Sequence, residues 1–298
     1  MRRALAAFAL ALTLPAAQAG EAAYCGLGTP AGAAAVDRLL AFAAVAEAVL
    51  DQQQAQVAVI ARAGLDLSRF GLRYSHAGLA LRAGAGWQVR QLYYDCEHAR
   101  PHLYDQGLAG FTLGNARDDP AFLSVVFVPG DAGARLSAQA LEAAPALAVL
   151  GTGYSANAYA FSTRYQNCNQ WVAELMARAW GAPEGAQTAR EAAQAWLREA
   201  GYRPRRLRVS NPFVRLGGHF VPSLHDDDHP PRNREAGVFE VSMPASLEAF
   251  VRARVPGARR VELCLRDTRV VLHEGWDALD AACVPGPADA VVSLRGAG

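Results

Sequence analysis

The chain has 298 residues, and its 29 basic side chains almost balance its 28 acidic ones, so that the formal net charge is +1. No excess of positive charge is available to attract nucleic acid, and we expect no nucleic-acid partner. The hydrophobic share of 52% is typical of a globular chain, and the length suits one large domain or a domain with an appendage.

The first residues have the pattern of an export signal. Two arginines precede an apolar run over residues 4–14, and Ala17-Gln18-Ala19 places small residues at a cleavage site. A bilayer-spanning helix needs about 20 apolar residues, and this run stops at Pro15. We therefore predict a signal peptide over residues 1–19, a periplasmic or secreted protein, and no transmembrane anchor once the signal is removed.

The spacing of apolar and turn residues predicts the elements of the first half of the chain. In chain order these are a helix at 33–54, a strand at 57–61, a helical turn at 67–70, strands at 73–82 and 87–94, a strand at 122–128 and a helix at 136–150. Gly84 and Ala85 separate two of the strands, which predicts a hairpin with its turn at these residues.

The second half begins with the helix that carries the candidate chemistry. Asn167 is a suitable N-cap, and an apolar face follows it until Gly181 ends the helix. A further helix is predicted at 191–200, and an extended or loop segment follows it. The predicted organisation is a signal peptide (1–19), a core (20–210), a loop rich in Pro, His and Asp (211–237) and a small C-terminal α+β appendage (238–298).

The number of cysteines is informative because it is odd. Disulfides persist in exported proteins, and two bridges among five cysteines leave one thiol. Cys264 and Cys283 are the pair that most easily closes a local loop, in which case Cys25 and Cys96 form the other pair and Cys168 stays free. Four cysteines allow three connectivities, so the sequence leaves the pairing open.

Cys168 is the candidate nucleophile. It lies in the first turn of the predicted helix, where unpaired N–H groups and the positive end of the helix dipole stabilise a thiolate, the attacking species. The competing interpretation is a buried structural cysteine. Polar amides at positions 166, 167, 169 and 170 favour a site instead, because they are unusual neighbours for a thiol that only fills a core.

His76 is the candidate general base. Alternation along its strand places the imidazole on the same face as Tyr74 and Gly78. An imidazole can take the proton of the thiol and later protonate the leaving group.

A third residue is expected to hold the imidazole through its far nitrogen. With the predicted turn, His76 lies opposite Tyr93, and Gln91 and Asp95 are its diagonal neighbours on the same face. Asp95 is preferred because a carboxylate also stabilises the imidazolium. Gln91, Tyr93 and Glu97 remain open, since a one-residue change of register alters the answer.

Two segments carry a resemblance to a known family: Gly71-Leu72-Arg73-Tyr74-Ser75-His76-Ala77-Gly78 and Phe161-Ser162-Thr163-Arg164-Tyr165-Gln166-Asn167-Cys168-Asn169-Gln170-Trp171-Val172. They resemble the domain-of-unknown-function family 2145, a family of exported proteobacterial proteins. The resemblance covers the chain from about residue 24 to the C-terminal segment.

The order of the motifs is similar to the circularly permuted NlpC-like branch of the papain-like cysteine peptidase superfamily. That resemblance implies an α+β, papain-like core in which an antiparallel sheet packs on the nucleophile helix. It also implies hydrolysis or transfer of amide, ester or thioester acyl groups. The N–H of Cys168 would bind the oxyanion, and a second donor is expected. The oxyanion or substrate candidates are Gln166, Tyr165, Tyr74 and Gln91.

These predictions describe an exported thiol hydrolase or acyltransferase that needs no cofactor and acts on a small-molecule, peptide or lipid acyl substrate. Peptidoglycan peptides are the most accessible amides at the expected location. The alternative is a non-enzymatic papain-like module for binding or envelope assembly. A metal-dependent hydrolase built on His225 and His229 is less favoured, because the prolines around them keep the segment extended and a solvated acidic loop explains it.

Overall fold

The computed structural model describes residues 32–115, 119–183 and 188–294. The strands are β1 (Val57–Arg62), β2 (His76–Ala83), β3 (Gly86–Asp95), β4 (Arg100–Gly107), β5 (Ala121–Phe127), β6 (Arg205–Arg208), β7 (Val238–Val241), β8 (Arg259–Arg266), β9 (Arg269–Glu274) and β10 (Ala290–Ser293). The α-helices are α1 (Ala33–Asp51), α2 (Leu108–Leu113), α3 (Gly130–Leu141), α4 (Ala143–Ala148), α5 (Cys168–Trp180), α6 (Ala189–Glu199), α7 (Pro212–Gly218), α8 (Pro231–Glu235) and α9 (Pro244–Arg254).

Eight strands form one antiparallel sheet in the order β10-β9-β8-β5-β1-β2-β3-β4, and β6 pairs with β7 in a small second sheet. The fold is therefore mixed α+β with a large antiparallel sheet.

The sheet is covered by helices on both faces because its central strands are apolar on both faces. In β1, Val57 and Val59 pack in the cluster that contains α5, whereas Ala58 and Ile60 pack with α1 and α2. The predicted packing of the sheet on the candidate nucleophile helix is thus present, with Trp171 fully buried between them.

The β2–β3 hairpin has the predicted register. Ala83 pairs with Gly86 and Leu79 with Arg90, so that Gly84 and Ala85 form the turn. Gly84 has a φ of 61°, a left-handed conformation that glycine adopts without strain. This register determines which side chains of β3 lie near His76.

The C-terminal segment is not the separate appendage that the sequence predicted. β8 pairs with β5 along seven residues and extends the main sheet through β9 and β10. The physical reason is visible in β8, where Leu263 and Leu265 pack on the α1 face and Cys264 packs on the α5 face. A strand that is apolar on both faces has to lie inside a covered sheet.

Other differences concern short or polar elements. The helix predicted at 136–150 is two helices, because Glu142 adopts an extended conformation with a ψ of 134° between α3 and α4. The segment predicted as a loop at 211–237 contains α7 and α8. β4 was not predicted because it is an edge strand in which polar side chains interrupt the apolar alternation.

A disulfide joins Cys264 to Cys283, as predicted, and Cys168 is free and buried. The other predicted pairing lies outside the described residues because Cys25 is not among them, and so does the predicted signal peptide. None of the helices in the described ranges combines the length and apolarity that crossing a bilayer requires.

Candidate functional site

Cys168 is the first residue of α5. Asn167 caps the helix, since its Oδ1 accepts a 2.8 Å hydrogen bond from the N–H of Gln170. The cysteine packs between the helix and β2 and is only 6% exposed. The predicted position of a thiol in the first helical turn is therefore present.

Three backbone amides influence the thiol of Cys168. Those of Ala77 in β2 and of Cys168 and Asn169 in α5 each lower its pKa. Burial nevertheless dominates and raises the pKa of the Cys168 thiol to about 11, although these amides and the positive charge of Arg62 lower it. The resting thiol is accordingly protonated at neutral pH.

His76 is the first residue of β2, immediately before Ala77. Its Nε2 lies 2.8 Å from Oε1 of Gln91, and its ring stacks on Tyr93 with 4.6 Å between centroids. Burial and the positive charge of Arg62 hold the pKa of His76 well below its usual value, although its hydrogen bond to Gln91 raises it. The imidazole is therefore neutral at neutral pH.

The tautomer of His76 follows from its neighbours. The Nε2 amide group of Gln91 donates to Oε1 of Gln106 at 2.8 Å, which leaves the Gln91 oxygen to accept from His76. The proton is then on Nε2, and the lone pair is on Nδ1. In the part of the chain that the structure describes, no hydrogen bond joins this imidazole to the Cys168 sulfur.

Asp95, the residue that the sequence favoured for orienting His76, makes its hydrogen bonds within the turn that follows β3. Its carboxylate accepts from Nδ1 of His98 at 2.7 Å and from the backbone N–H groups of Glu97 and His98. It thus stabilises the turn after β3. The structure places Gln91, the alternative kept open, against His76, and Tyr93 against the face of the same ring.

Asn169 ties the two halves of the site together. Its Nδ2 donates to the carbonyl of Ser75 at 3.0 Å and to that of Ser242 at 3.1 Å. The residue after the candidate nucleophile is thus bonded to the residue before the candidate base. This hydrogen bond holds the start of α5 against the start of β2.

Gly78 allows β3 to approach β2 closely beside the site. A Cβ at this position would lie 3.0 Å from the carbonyl oxygen of Arg90 and 3.0 Å from Cβ of Gln91. Any side chain would displace the strand that holds Gln91 against His76.

Arg62 is a residue of this site that sequence reasoning missed. It pairs with His76 across β1 and β2, is 4% exposed, and donates to the hydroxyl of Tyr93 at 2.8 Å and to the carbonyl of Gly114. Among the described residues, no carboxylate lies within ion-pair distance of its guanidinium. The sequence did contain one sign of its importance, a single charged side chain at the end of an otherwise apolar strand.

The candidate oxyanion and substrate residues have structural contacts. The amide of Gln166 donates to Val149 and Glu174 and accepts from Gly151, each at 2.7 Å. The hydroxyl of Tyr74 donates to Glu262 at 2.5 Å.

Tyr165 stacks on His225 with centroids 4.6 Å apart. Of the neighbouring backbone amides, that of Ala77, which was not among the predicted donors, lowers the pKa of the Cys168 thiol most.

The polar amides around Cys168 have a second explanation in Glu174. This carboxylate is fully buried one helical turn after Gln170, and Arg190 pairs with it at 2.8 Å. Gln166, Gln170 and Gln194 donate to its oxygens. These amides satisfy a buried charge, so they are not by themselves a sign of catalysis.

The His- and Asp-rich segment contacts the loop that precedes α5. Nε2 of His229 bonds to the carbonyl of Asn157 at 2.8 Å, and Oδ2 of Asp228 accepts from the N–H of Tyr159 at 2.9 Å. Within the described ranges, no group of three or more His, Cys, Asp or Glu side chains is arranged to hold a metal ion.

Comparison with known proteins assigns a family without assigning a function. No curated protein and no solved structure matches the chain. Residues 49–251, more than half of the chain, match the family described as "Uncharacterized protein conserved in bacteria (DUF2145)". This range contains Cys168, His76, Gln91 and Arg62, and the chain belongs to that family.

Proposed function

We propose that the protein is an exported thiol hydrolase or acyltransferase with a papain-like arrangement of the permuted NlpC type. Cys168 is the nucleophile, His76 is the general base, and Gln91 is the residue that positions the imidazole. The substrate class is an amide, ester or thioester.

One observation carries this proposal: Cys168, at the start of α5, packs against β2, and Asn169 beside it donates a 3.0 Å hydrogen bond to Ser75, the residue before His76. A carbonyl attacked by the sulfur would develop negative charge near the backbone amides of Ala77 and Cys168, which already lower the pKa of the thiol. Because one donor belongs to the residue after His76, the donor and the base share one strand.

The proposed reaction begins with both groups neutral. The sulfur attacks the carbonyl carbon while the S–H proton moves to Nδ1 of His76, and the amides of Ala77 and Cys168 bind the oxyanion. Collapse of the tetrahedral intermediate breaks the bond to the leaving group, which takes the proton from His76. Water or another nucleophile then attacks the thioester on Cys168, and His76 accepts and returns its proton.

The expected export of the chain suggests envelope substrates. Peptidoglycan peptides offer amides at that location, and lipid acyl groups suit the same chemistry. The proposal includes peptides and lipid acyl groups alike, because each presents a carbonyl to the same sulfur.

The second candidate function is a non-enzymatic binding or envelope-assembly module. It is favoured by the burial of the Cys168 side chain and by its pKa of about 11. In that case the thiol is an inert part of the core between α5 and β2.

Acyl transfer to the sulfur separates the two candidates. The purified, oxidised protein is incubated at pH 7.5 with short-chain acyl thioesters and p-nitrophenyl esters, and intact-mass spectrometry measures acylation. We expect one acyl group on Cys168, its absence in Cys168→Ala, and acylation slowed roughly 100-fold or more in His76→Asn.

His98→Asn is the matched control, because it removes an exposed histidine that pairs with Asp95 outside the proposed site and should leave the rate unchanged. A folded wild-type protein that never acylates at Cys168 would establish the binding module.

A further inference from the structure

The largest exposed apolar side chains of the described residues are concentrated in one short segment. Phe213 is 80% exposed and Phe220 is 81% exposed, and Leu216 and Val214 between them are 59% and 43% exposed. Scattered single apolar residues on a surface need no explanation, but four within eight residues do. We call these four side chains the 213–220 patch.

The patch is held on ordered backbone. α7 begins at Pro212, is capped by Asn211 through a 2.9 Å bond to the N–H of Phe213, and continues as a tight turn to Phe220. Phe213 and Leu216 have the i, i+3 spacing of one helical face, and Phe220 follows in the turn after the helix. Arg215 anchors the helix by donating to the carbonyl of Arg234 at 2.5 Å.

The residues that lead into the patch are strongly basic. Residues 203–220 contain five arginines and no aspartate or glutamate, although the whole chain has a net charge of only +1. Arg203, Arg205 and Arg208 are exposed and have no ion pair with another described residue. Arg206 lies 3.5 Å from Glu240 and is 67% exposed.

We propose that residues 203–220 dock the protein on an anionic lipid surface, with the 213–220 patch inserted at the acyl boundary and the arginines on the headgroup phosphates. Aromatic and leucine side chains beside a basic strand are the combination that binds such interfaces. Guanidinium groups also pair well with phosphate oxygens.

The charge of the segment argues for lipid over a second copy of the chain. A two-fold contact places the same patch against itself, which would bring two sets of these arginines together. A lipid interface gives the apolar side chains an apolar medium and gives the arginines counter-charges at the same time.

The test is sedimentation of the purified, oxidised chain with vesicles of phosphatidylglycerol and phosphatidylcholine, compared with phosphatidylcholine alone. We expect binding to the anionic vesicles that weakens as salt increases, and little binding to phosphatidylcholine. The double variant Phe213→Ser and Phe220→Ser should weaken binding roughly tenfold or more. Arg205→Gln and Arg208→Gln should each weaken it roughly fivefold.

Leu147→Ser is the matched control, because it removes a 53% exposed leucine on α4 and should bind as wild type does. Equal binding to both vesicle types, or unchanged binding of the double Phe variant, would overturn the proposal. So would failure of the folded wild-type chain to bind. A dimer in sedimentation velocity that dissociates in the Phe variant would assign the patch to self-association instead.

Discussion

Cys168 and His76 are kept neutral by the same physical effect. Both side chains are buried, and burial penalises the charged form, which is the thiolate for cysteine and the imidazolium for histidine. At rest both groups are thus neutral: the thiol lies in the cluster on the α5 face, and the imidazole lies 5.9 Å from the ring of Phe111, which belongs to the cluster on the other face of the sheet. This differs from the preformed ion pair of many cysteine hydrolases.

The thiol should alkylate slowly at neutral pH. With a pKa of about 11 in place of about 8.5, the thiolate fraction at pH 7 is roughly 300-fold lower than that of a free cysteine. Iodoacetamide labelling of Cys168, followed by mass spectrometry against pH, should rise toward pH 11. Labelling in denaturant with the disulfides intact is the control and should become half-maximal near pH 8.5. A native half-maximum below that value would contradict the burial argument.

His76 should make stability depend on pH below its ordinary titration range. Its folded pKa lies below the unfolded value of about 6.5, so the unfolded chain binds the proton first as the pH falls. Full stability is present above pH 6.5, and up to about 1.4 kcal/mol is lost for each pH unit below it, until the folded pKa is reached.

Urea unfolding of wild type and His76→Gln between pH 4 and 8 checks this. The variant should have the flatter curve, and parallel curves would disprove it.

At the scale of elements, the pairing of α5 with α6 depends on a buried charge. Arg190 neutralises Glu174 at 2.8 Å, and burial raises the pKa of Glu174 more than this partner lowers it. Arg190→Ala should therefore reduce the unfolding free energy at pH 7 by about 3–5 kcal/mol, the usual effect of leaving a buried charge unpaired.

Urea unfolding at pH 7 measures this loss, and the loss should shrink at low pH, where Glu174 is protonated. Arg198→Ala, at an exposed position of the same helix, is the control and should change stability by less than about 1 kcal/mol. An equal loss in both variants would show that the loss is not specific to the buried pair.

The elements that the sequence predicted well are those with a strong periodicity of apolar residues or with clear cap and turn residues. The helix start at Cys168 follows from the cap at Asn167, and the β2–β3 register follows from the turn at Gly84. That register correctly limited the partners of His76 to a few residues of β3. Among these residues the sequence favoured Asp95, whereas the structure places Gln91 against His76. The sequence did not reveal that the backbone amides of the turn after β3 bind the Asp95 carboxylate.

The role of Arg62 could not be predicted from the sequence, for a related reason. Its role depends on long-range contacts with Tyr93 and Gly114, and local sequence gives no information about them. The same limit applies to the C-terminal segment. Its α+β character was predicted, but the pairing of β8 with β5 joins positions more than 130 residues apart.

At the scale of the whole molecule, the main sheet needs its C-terminal strands. β8 covers the edge of β5, and its buried Glu262 accepts hydrogen bonds from Tyr74 and Arg73 near the start of β2. A chain that ends at residue 257 should therefore fail to fold. It would expose a long apolar strand edge, which promotes aggregation.

A chain that ends at residue 289 is the control, because it removes only the exposed edge strand β10 and the residues after it. It should remain soluble and melt within a few degrees of the full chain. Soluble yield and thermal unfolding by circular dichroism measure both. If the chain that ends at residue 257 folds, the C-terminal segment is a separate appendage, as the sequence predicted.

The close contact at Gly78 has a consequence for how this family can vary. A methyl group at this position would meet the backbone of Arg90 and the side chain of Gln91. A substitution of Gly78 therefore requires a change in the neighbouring strand. Homologues that keep the histidine should keep a glycine two residues later, whatever happens to the residue between them. Lineages that have lost the glycine should also have lost the glutamine that contacts His76.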